Sequence, residues 1–184
     1  MLLHPHPDSG CSAVTRLDAG AIRTATGGLA LTWTLEGDLP ALALPALALP
    51  APAGAARRDG LWRHSCFEAF IGMAGEAGYL EFNFSPSGDW AAYRFTGHRQ
   101  GMTALALAAP PSTRWQRPAG SLQLTAVLAP LPGAAGSLHI GLCAVIEARS
   151  GTMSHWALRH PPGAPDFHHA AGRVLELAPA GPVG

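Results

Sequence analysis

The chain has 184 residues, 48% of them apolar and only 13% charged, enough for one domain with a sizeable core. Its cations are all arginine, and twelve acids balance them to a formal charge of zero. Without a basic stripe to neutralise phosphates, a nucleic-acid partner is excluded.

Residues 1–12 read as a flexible N-terminal tail, in which His4 and His6 alternate with Pro5 and Pro7. The start, MLLHPHPDSG, lacks the basic and apolar regions of a signal peptide. No run reaches the ~20 apolar residues of a membrane helix. Cys11, Cys66 and Cys143 are too widely spaced for a disulfide framework or a metal-ligand pair. The expectation is a cytoplasmic protein without a membrane partner: one domain over 13–178 and a short C-terminal tail over 179–184.

Val14 to Leu17 is a candidate first strand. From Leu29 to Glu36, Leu29, Leu31, Trp33 and Leu35 share one face and Thr32, Thr34 and Glu36 the other, the period of a half-buried strand. The segment from Asp38 to Ala56 nearly repeats Ala-Leu-Ala-Leu-Pro, and a proline every five residues excludes a helix. Ala41 to Leu44 reads as an edge strand, followed by a Pro/Ala-rich loop.

Next comes the stretch richest in aromatics, Asp59 to Phe95. Trp62, His64, Cys66, Glu68 and Phe70 fall on one face of an extended run. Cysteine nucleophiles are normally exposed at turns, with a base from elsewhere, so Cys66 reads as a core thiol. Tyr79 to Phe84 and Asp89 to Phe95 form a hairpin around Ser85-Pro86-Ser87-Gly88. With Pro86-Ser87 at the corner, Asn83 faces Trp90, Phe82 faces Ala91, Leu80 faces Tyr93 and Tyr79 faces Arg94. One face then carries Leu80, Phe82, Phe84, Ala91, Tyr93 and Phe95, and belongs in a core. The other carries Tyr79, Glu81, Asn83, Trp90 and Arg94, a polar and aromatic surface suited to a ligand. There, an indole offers a plate for a sugar ring, and Asn83, Glu81, Arg94 and Glu68 form its polar rim.

Strands are expected at Met102 to Ala108, Leu122 to Leu128, Leu138 to Glu147, Met153 to Leu158 and Val174 to Leu177. The third is apolar on both faces and belongs in the middle of a sheet. Arg159 to His169 is a proline-rich loop. With His155 it gathers His160, Asp166 and His168, read as a lid in which Asp166 anchors an imidazole. The histidine spacing matches no zinc pattern, so no metal site is assigned. Many short strands joined by Gly/Pro turns, with no helical period, make an antiparallel β-sandwich.

Asp59-Gly60-Leu61-Trp62, Cys66 to Ile71, Tyr79 to Trp90, Ser154 to Leu158 and Pro165 to His168 resemble the bacterial DOMON-like domains, relatives of the family 9 carbohydrate-binding modules. The resemblance spans roughly residues 15–177. It implies an immunoglobulin-like or jelly-roll sandwich of about ten strands that binds sugar or haem in a pocket on one sheet. Haem-binding relatives use Met with His or Lys. This chain has no lysine, which leaves Met/His or His/His pairs drawn from Met73, Met102, Met153, His64, His98 and His155. The expected function is a non-catalytic module for a saccharide or similar polar ligand, with Trp90, Asn83, Glu81, Arg94, Glu68, Tyr79, Trp62 and His64 as its site. The alternatives are a haem-binding electron-transfer domain, with haem the one cofactor in view, and a metal-dependent enzyme using the loop 155–169.

Overall fold

The computed structural model describes residues 1–44 and 56–179. Two antiparallel sheets face each other. The smaller is ordered β2 (Val14–Arg23), β3 (Leu29–Gly37), β9 (Ser121–Leu128), β8 (Ser112–Gln116). The larger runs β1 (His4–Pro5), β11 (Met153–Ala157), β10 (Leu138–Glu147), β4 (Cys66–Met73), β5 (Tyr79–Phe84), β6 (Trp90–Phe95), β7 (Thr103–Ala104). A last strand, β12 (Leu175–Leu177), pairs with the first residues of β10. The expected antiparallel β-sandwich is present. As its two apolar faces require, β10 is central: β4 lies on one side, and β11 and β12 share the other.

The sheets meet through side chains at alternate positions. Leu31, Trp33 and Leu35 of β3 and Leu122 and Leu124 of β9 face Phe67, Ala69 and Ile71 of β4 and Leu80, Phe82 and Phe84 of β5. Trp33 packs 6.1 Å from Phe67 and 5.9 Å from Phe84, centroid to centroid. The outer face of the small sheet is partly open, as the alternating exposure of β9 shows. The outer face of the large sheet is not, and every residue of β4 and β5 is buried. Loops cover it as a third layer.

Several sequence expectations need correction. Residues 1–12 are not a free tail. Leu3 donates its N–H to Leu17 O and is buried, β1 pairs with β11, and the N-terminal ammonium donates to Ala19 O at 2.7 Å. Local composition said nothing of these partners, which lie far along the chain. Ala41 to Leu44 is no strand: Leu39–Ala41 is a 3₁₀ turn, and Leu42 makes one bridge to Ala148. The Pro/Ala-rich loop after Leu44 lies largely outside the described residues, as does nearly all of the expected C-terminal tail. Met102 to Ala108 contracts to the two residues of β7, and β8 follows directly on Pro110-Pro111, where no strand was expected.

The hairpin register also differs by one residue. Phe84 pairs with Trp90, Asn83 with Ala91, Phe82 with Ala92, Glu81 with Tyr93, Leu80 with Arg94 and Tyr79 with Phe95. The cause is Gly88, whose φ of +94° makes it an extra loop residue. Gly88 N–H donates to Ser85 O, and Ser85 N–H to Asp89 O, closing a three-residue loop rather than two. A one-residue slip turns a strand over. The inward residues of β6 are therefore Trp90 and Ala92, and the outward ones Ala91, Tyr93 and Phe95.

Candidate ligand pocket

On the outer face of the large sheet, Glu68 and Cys66 (β4), Glu81, Asn83 and Tyr79 (β5), Tyr93 and Phe95 (β6), Val145 and Cys143 (β10) and His155 (β11) project to one side. Above them lies a cavity of about 500 Å³ lined by Trp62, Glu68, Glu81, Phe95, Arg99 and Met102, and roofed by His155, Pro165, Phe167 and His168. This volume falls within the range of small-molecule sites.

The floor is acidic and almost wholly desolvated. Glu68 is 3% exposed, Glu81 is 4% and Asn83 is fully buried. Asn83 Nδ2 donates to Glu81 Oε1 at 2.7 Å. Glu68 Oε1 and Asn83 Oδ1 are buried without a hydrogen-bond partner among the described residues. Burial, reinforced by the charge of Glu81 and opposed by Arg99, pushes the Glu68 carboxyl well above the ordinary carboxylate range. Burial also raises Glu81, against the Asn83 hydrogen bond and Arg99.

One wall is aromatic. Trp62 follows a left-handed Gly60 into the 3₁₀ turn Leu61–Arg63. Its ring meets Tyr93 edge-on at 6.0 Å, while the Tyr93 hydroxyl donates to Asp59 Oδ1 at 2.6 Å and so ties down the start of this turn. The opposite rim is the 96–101 loop, where Arg99 takes φ +55°. A non-glycine residue there costs free energy unless its surroundings hold it. They do so here, because Arg99 Nε and Nη2 donate to Asp166 Oδ1 at 3.2 and 2.9 Å, and its N–H donates to the Tyr79 hydroxyl at 3.3 Å.

The roof is fastened by the same carboxylate. Asp166 accepts from His98 Nε2 at 2.7 Å and from the backbone N–H of His168 at 3.2 Å. Burial alone would raise Asp166, but the hydrogen bonds from His98 and Arg99 hold it below its ordinary value. The Tyr79 hydroxyl accepts from Arg99 N–H at 3.3 Å and forms a second hydrogen bond, 2.7 Å long, with His168 Nδ1. Desolvation first, then the charge of Arg99, lowers His168 to about 4. Beneath the roof, Gly141 and Gly72 let 172–173 lie flat on the sheet. A Cβ on Gly141 would stand 3.1 Å from Gly172 O, and one on Gly72 would stand 3.1 Å from Arg173 Nε. The Arg173 guanidinium sits 4.8 Å over the Tyr79 ring.

The pocket thus brings together Glu68, Glu81, Trp62, His155 and His168, with Asn83 in its floor and Asp166 and Tyr79 as anchors of its roof. Tyr79 is 1% exposed and stacks on Phe95 at 4.8 Å, so it supports the pocket from behind. Three residues assigned to the site lie elsewhere. Trp90 is 8% exposed inside the sandwich core, with the Arg57 guanidinium 5.6 Å over its ring. Arg94 follows it to the inward side and is exposed beyond the core, in a groove near Met73 and Glu76. His64 is exposed, its Nδ1 2.8 Å from Glu147 Oε2, because the run before Cys66 is a turn, not a strand. His160 anchors the loop by bonding to His4 O at 2.8 Å.

Sequence reasoning missed Arg99 and Phe167 as pocket residues, placed Phe95 in the core and named Met102 only as a candidate haem ligand. Gly97 and Gly101 around His98-Arg99-Gln100 were the available signal, since a charged tip held between two glycines marks a shaped loop.

Cys66 does not supply a nucleophile. Cys66 is fully buried, and desolvation raises its thiol well above the ordinary value. His155 and His160 both pack against Phe167, but the described residues hold no group of three or more His, Cys, Asp or Glu able to bind a metal. Of the Met and His candidates for haem, Met102 and His155 line the cavity, but a porphyrin lying between them would press an apolar ring onto two buried carboxyl groups. The floor does not fit that group. No helix among the described residues is long and apolar enough to cross a membrane.

No protein-family model and no curated protein matches the chain. Among solved structures, it is similar to a crystal structure from Bacteroides uniformis ATCC 8492 named a "putative carbohydrate-binding protein". The TM-score is 0.60 at 13% identity, over 89% of this chain and 78% of that one. At that identity the similarity establishes a shared β-sandwich fold.

Proposed function

We propose that the chain is a non-catalytic module that binds a saccharide or similar polyhydroxylated small molecule in the pocket over β4 and β5. The carrying observation is the pairing of an acceptor-rich floor with an aromatic wall. Glu68 and Glu81 line the floor over a buried Asn83, Glu68 Oε1 and Asn83 Oδ1 have no donor among the described residues, and Trp62 and Phe95 supply apolar ring faces. Hydroxyl groups bring the missing donors, and the C–H face of a sugar ring packs on an indole. The name of the structural neighbour points the same way. The three cysteines are unpaired, which suits a reducing compartment such as the cytoplasm.

A glycan array followed by calorimetric titration tests the reading. Binding is expected for wild type and for Arg94→Ala, and is expected to be lost in Trp62→Ala and Glu81→Ala. Binding that survives in both pocket variants sinks the assignment. An absorption titration with haemin is expected to give no Soret band. A one-equivalent band lost on Met102 or His155 substitution would replace the saccharide reading with the haem one.

A further inference from the structure

We infer that the ligand carries a primary ammonium group, seated over Glu68 and Glu81 against the Trp62 wall. This deepens the saccharide reading and rests on the pocket described above. The first argument is charge. The cavity lining contains two carboxyl side chains and, among the described residues, one permanent cation, Arg99. That guanidinium makes two hydrogen bonds to Asp166, so its charge is already matched. The two imidazoles in the lining add nothing positive at neutral pH, since burial lowers both His155 and His168. Arg99 thus eases the floor acids only through space, and no cation in the lining is bonded to them.

The second argument is donor count. The only amide donor in the floor, Asn83 Nδ2, is used on Glu81. Among the described residues, that leaves Glu68 Oε1 and Asn83 Oδ1 buried with no donor, on cross-strand partner residues. An unpaired buried acceptor is costly, and an unpaired buried carboxylate more so. A hydroxyl offers one donor and no charge. An ammonium offers three donors and the positive charge that the floor lacks. The third argument is the wall: the Trp62 ring lines the cavity beside Phe95, braced by Tyr93 standing at 75° to it. A cation next to such ring faces is further stabilised by their quadrupoles.

Calorimetric titration of the full chain with glucosamine, glucose, N-acetylglucosamine and putrescine decides the matter. Glucosamine is expected to bind at least ~10-fold more tightly than N-acetylglucosamine, about one decade of Kd. Glu81→Gln and Glu68→Gln, near-isosteric changes that remove buried acids, are expected to erase that preference, while Arg94→Ala retains it. Equal binding of the three sugars, or a preference unchanged in both Gln variants, overturns the ammonium and leaves the saccharide reading standing. Putrescine binding with no sugar binding supports the ammonium and overturns the saccharide reading. Silence from all four probes overturns both.

Discussion

Glu68 and Asn83 are cross-strand partners on β4 and β5, and each keeps one buried oxygen without a hydrogen-bond partner among the described residues. Two acceptors side by side are unfavourable unless one holds a proton. Burial and the neighbouring Glu81 both favour the protonated form of Glu68, and its hydroxyl is then a donor. In the empty pocket that proton does what a bound cation does in the filled one.

A pH-dependent stability follows. The folded-state pKa of Glu68 is raised above the unfolded value, so its favourable contribution is present at low pH and lost as pH rises through the folded pKa. Glu68→Gln, which supplies a permanent donor, is expected to stabilise the protein at pH 7–8 by about 1–3 kcal/mol, the cost of an unsatisfied buried polar group. The gain should shrink towards pH 4. Urea unfolding of both proteins across that range checks it; a destabilised variant at pH 8 would mean that the carboxylate has a partner.

Truncating two tryptophans separates core from site. Trp90→Ala is expected to cost about 3–5 kcal/mol, because the indole lies inside the sandwich. Trp62, 38% exposed on the pocket wall, is expected to cost under ~1.5 kcal/mol while abolishing ligand binding. Thermal melts and titrations of the two variants check the assignment. Similar losses of stability would mean that the hairpin register is wrong.

How far the site was legible from sequence turns on Gly88. Alternation along Tyr79 to Phe84 correctly placed Glu81 and Asn83 on one face and Phe82 on the other, because a strand's period is internal to it. Which face of the next strand joins them depends on the number of residues in the turn, and two-residue and three-residue loops share the same turn chemistry. The extra glycine moved Trp90 into the core and brought Tyr93 and Phe95 out beside Glu81. Arg99, Phe167 and His168 reach the pocket from loops whose meeting depends on one carboxylate, Asp166, 67 residues beyond Arg99. No periodic pattern records a contact of that kind.

Gly88→Ala tests this account directly. At φ +94° a Cβ is strained, so the change is expected to cost about 1–2 kcal/mol. Chemical denaturation measures it, and a neutral result would mean that the loop closes in some other way.

The roof should open in acid. His168 is held neutral by burial, its folded value lowered to about 4 against an ordinary value near 6.5. Closure is therefore fully favoured above about 6.5 and weakens as pH falls towards 4, where the open loop binds a proton that the closed one rejects. Asp166 acts in the same direction, since its lowered folded pKa supports closure above its ordinary value and loses that support once it is protonated. Hydrogen exchange of residues 160–172 is expected to quicken on going from pH 7 to pH 4.5, after correction for intrinsic rates, while β4 and β10 stay protected. His168→Phe, which keeps a ring but cannot be protonated, should flatten that pH dependence. Asp166→Asn should instead raise exchange at pH 7, because it removes the charge that holds Arg99 and His98. If His168→Phe left the acid response unchanged, His168 would not be the group whose protonation opens the roof.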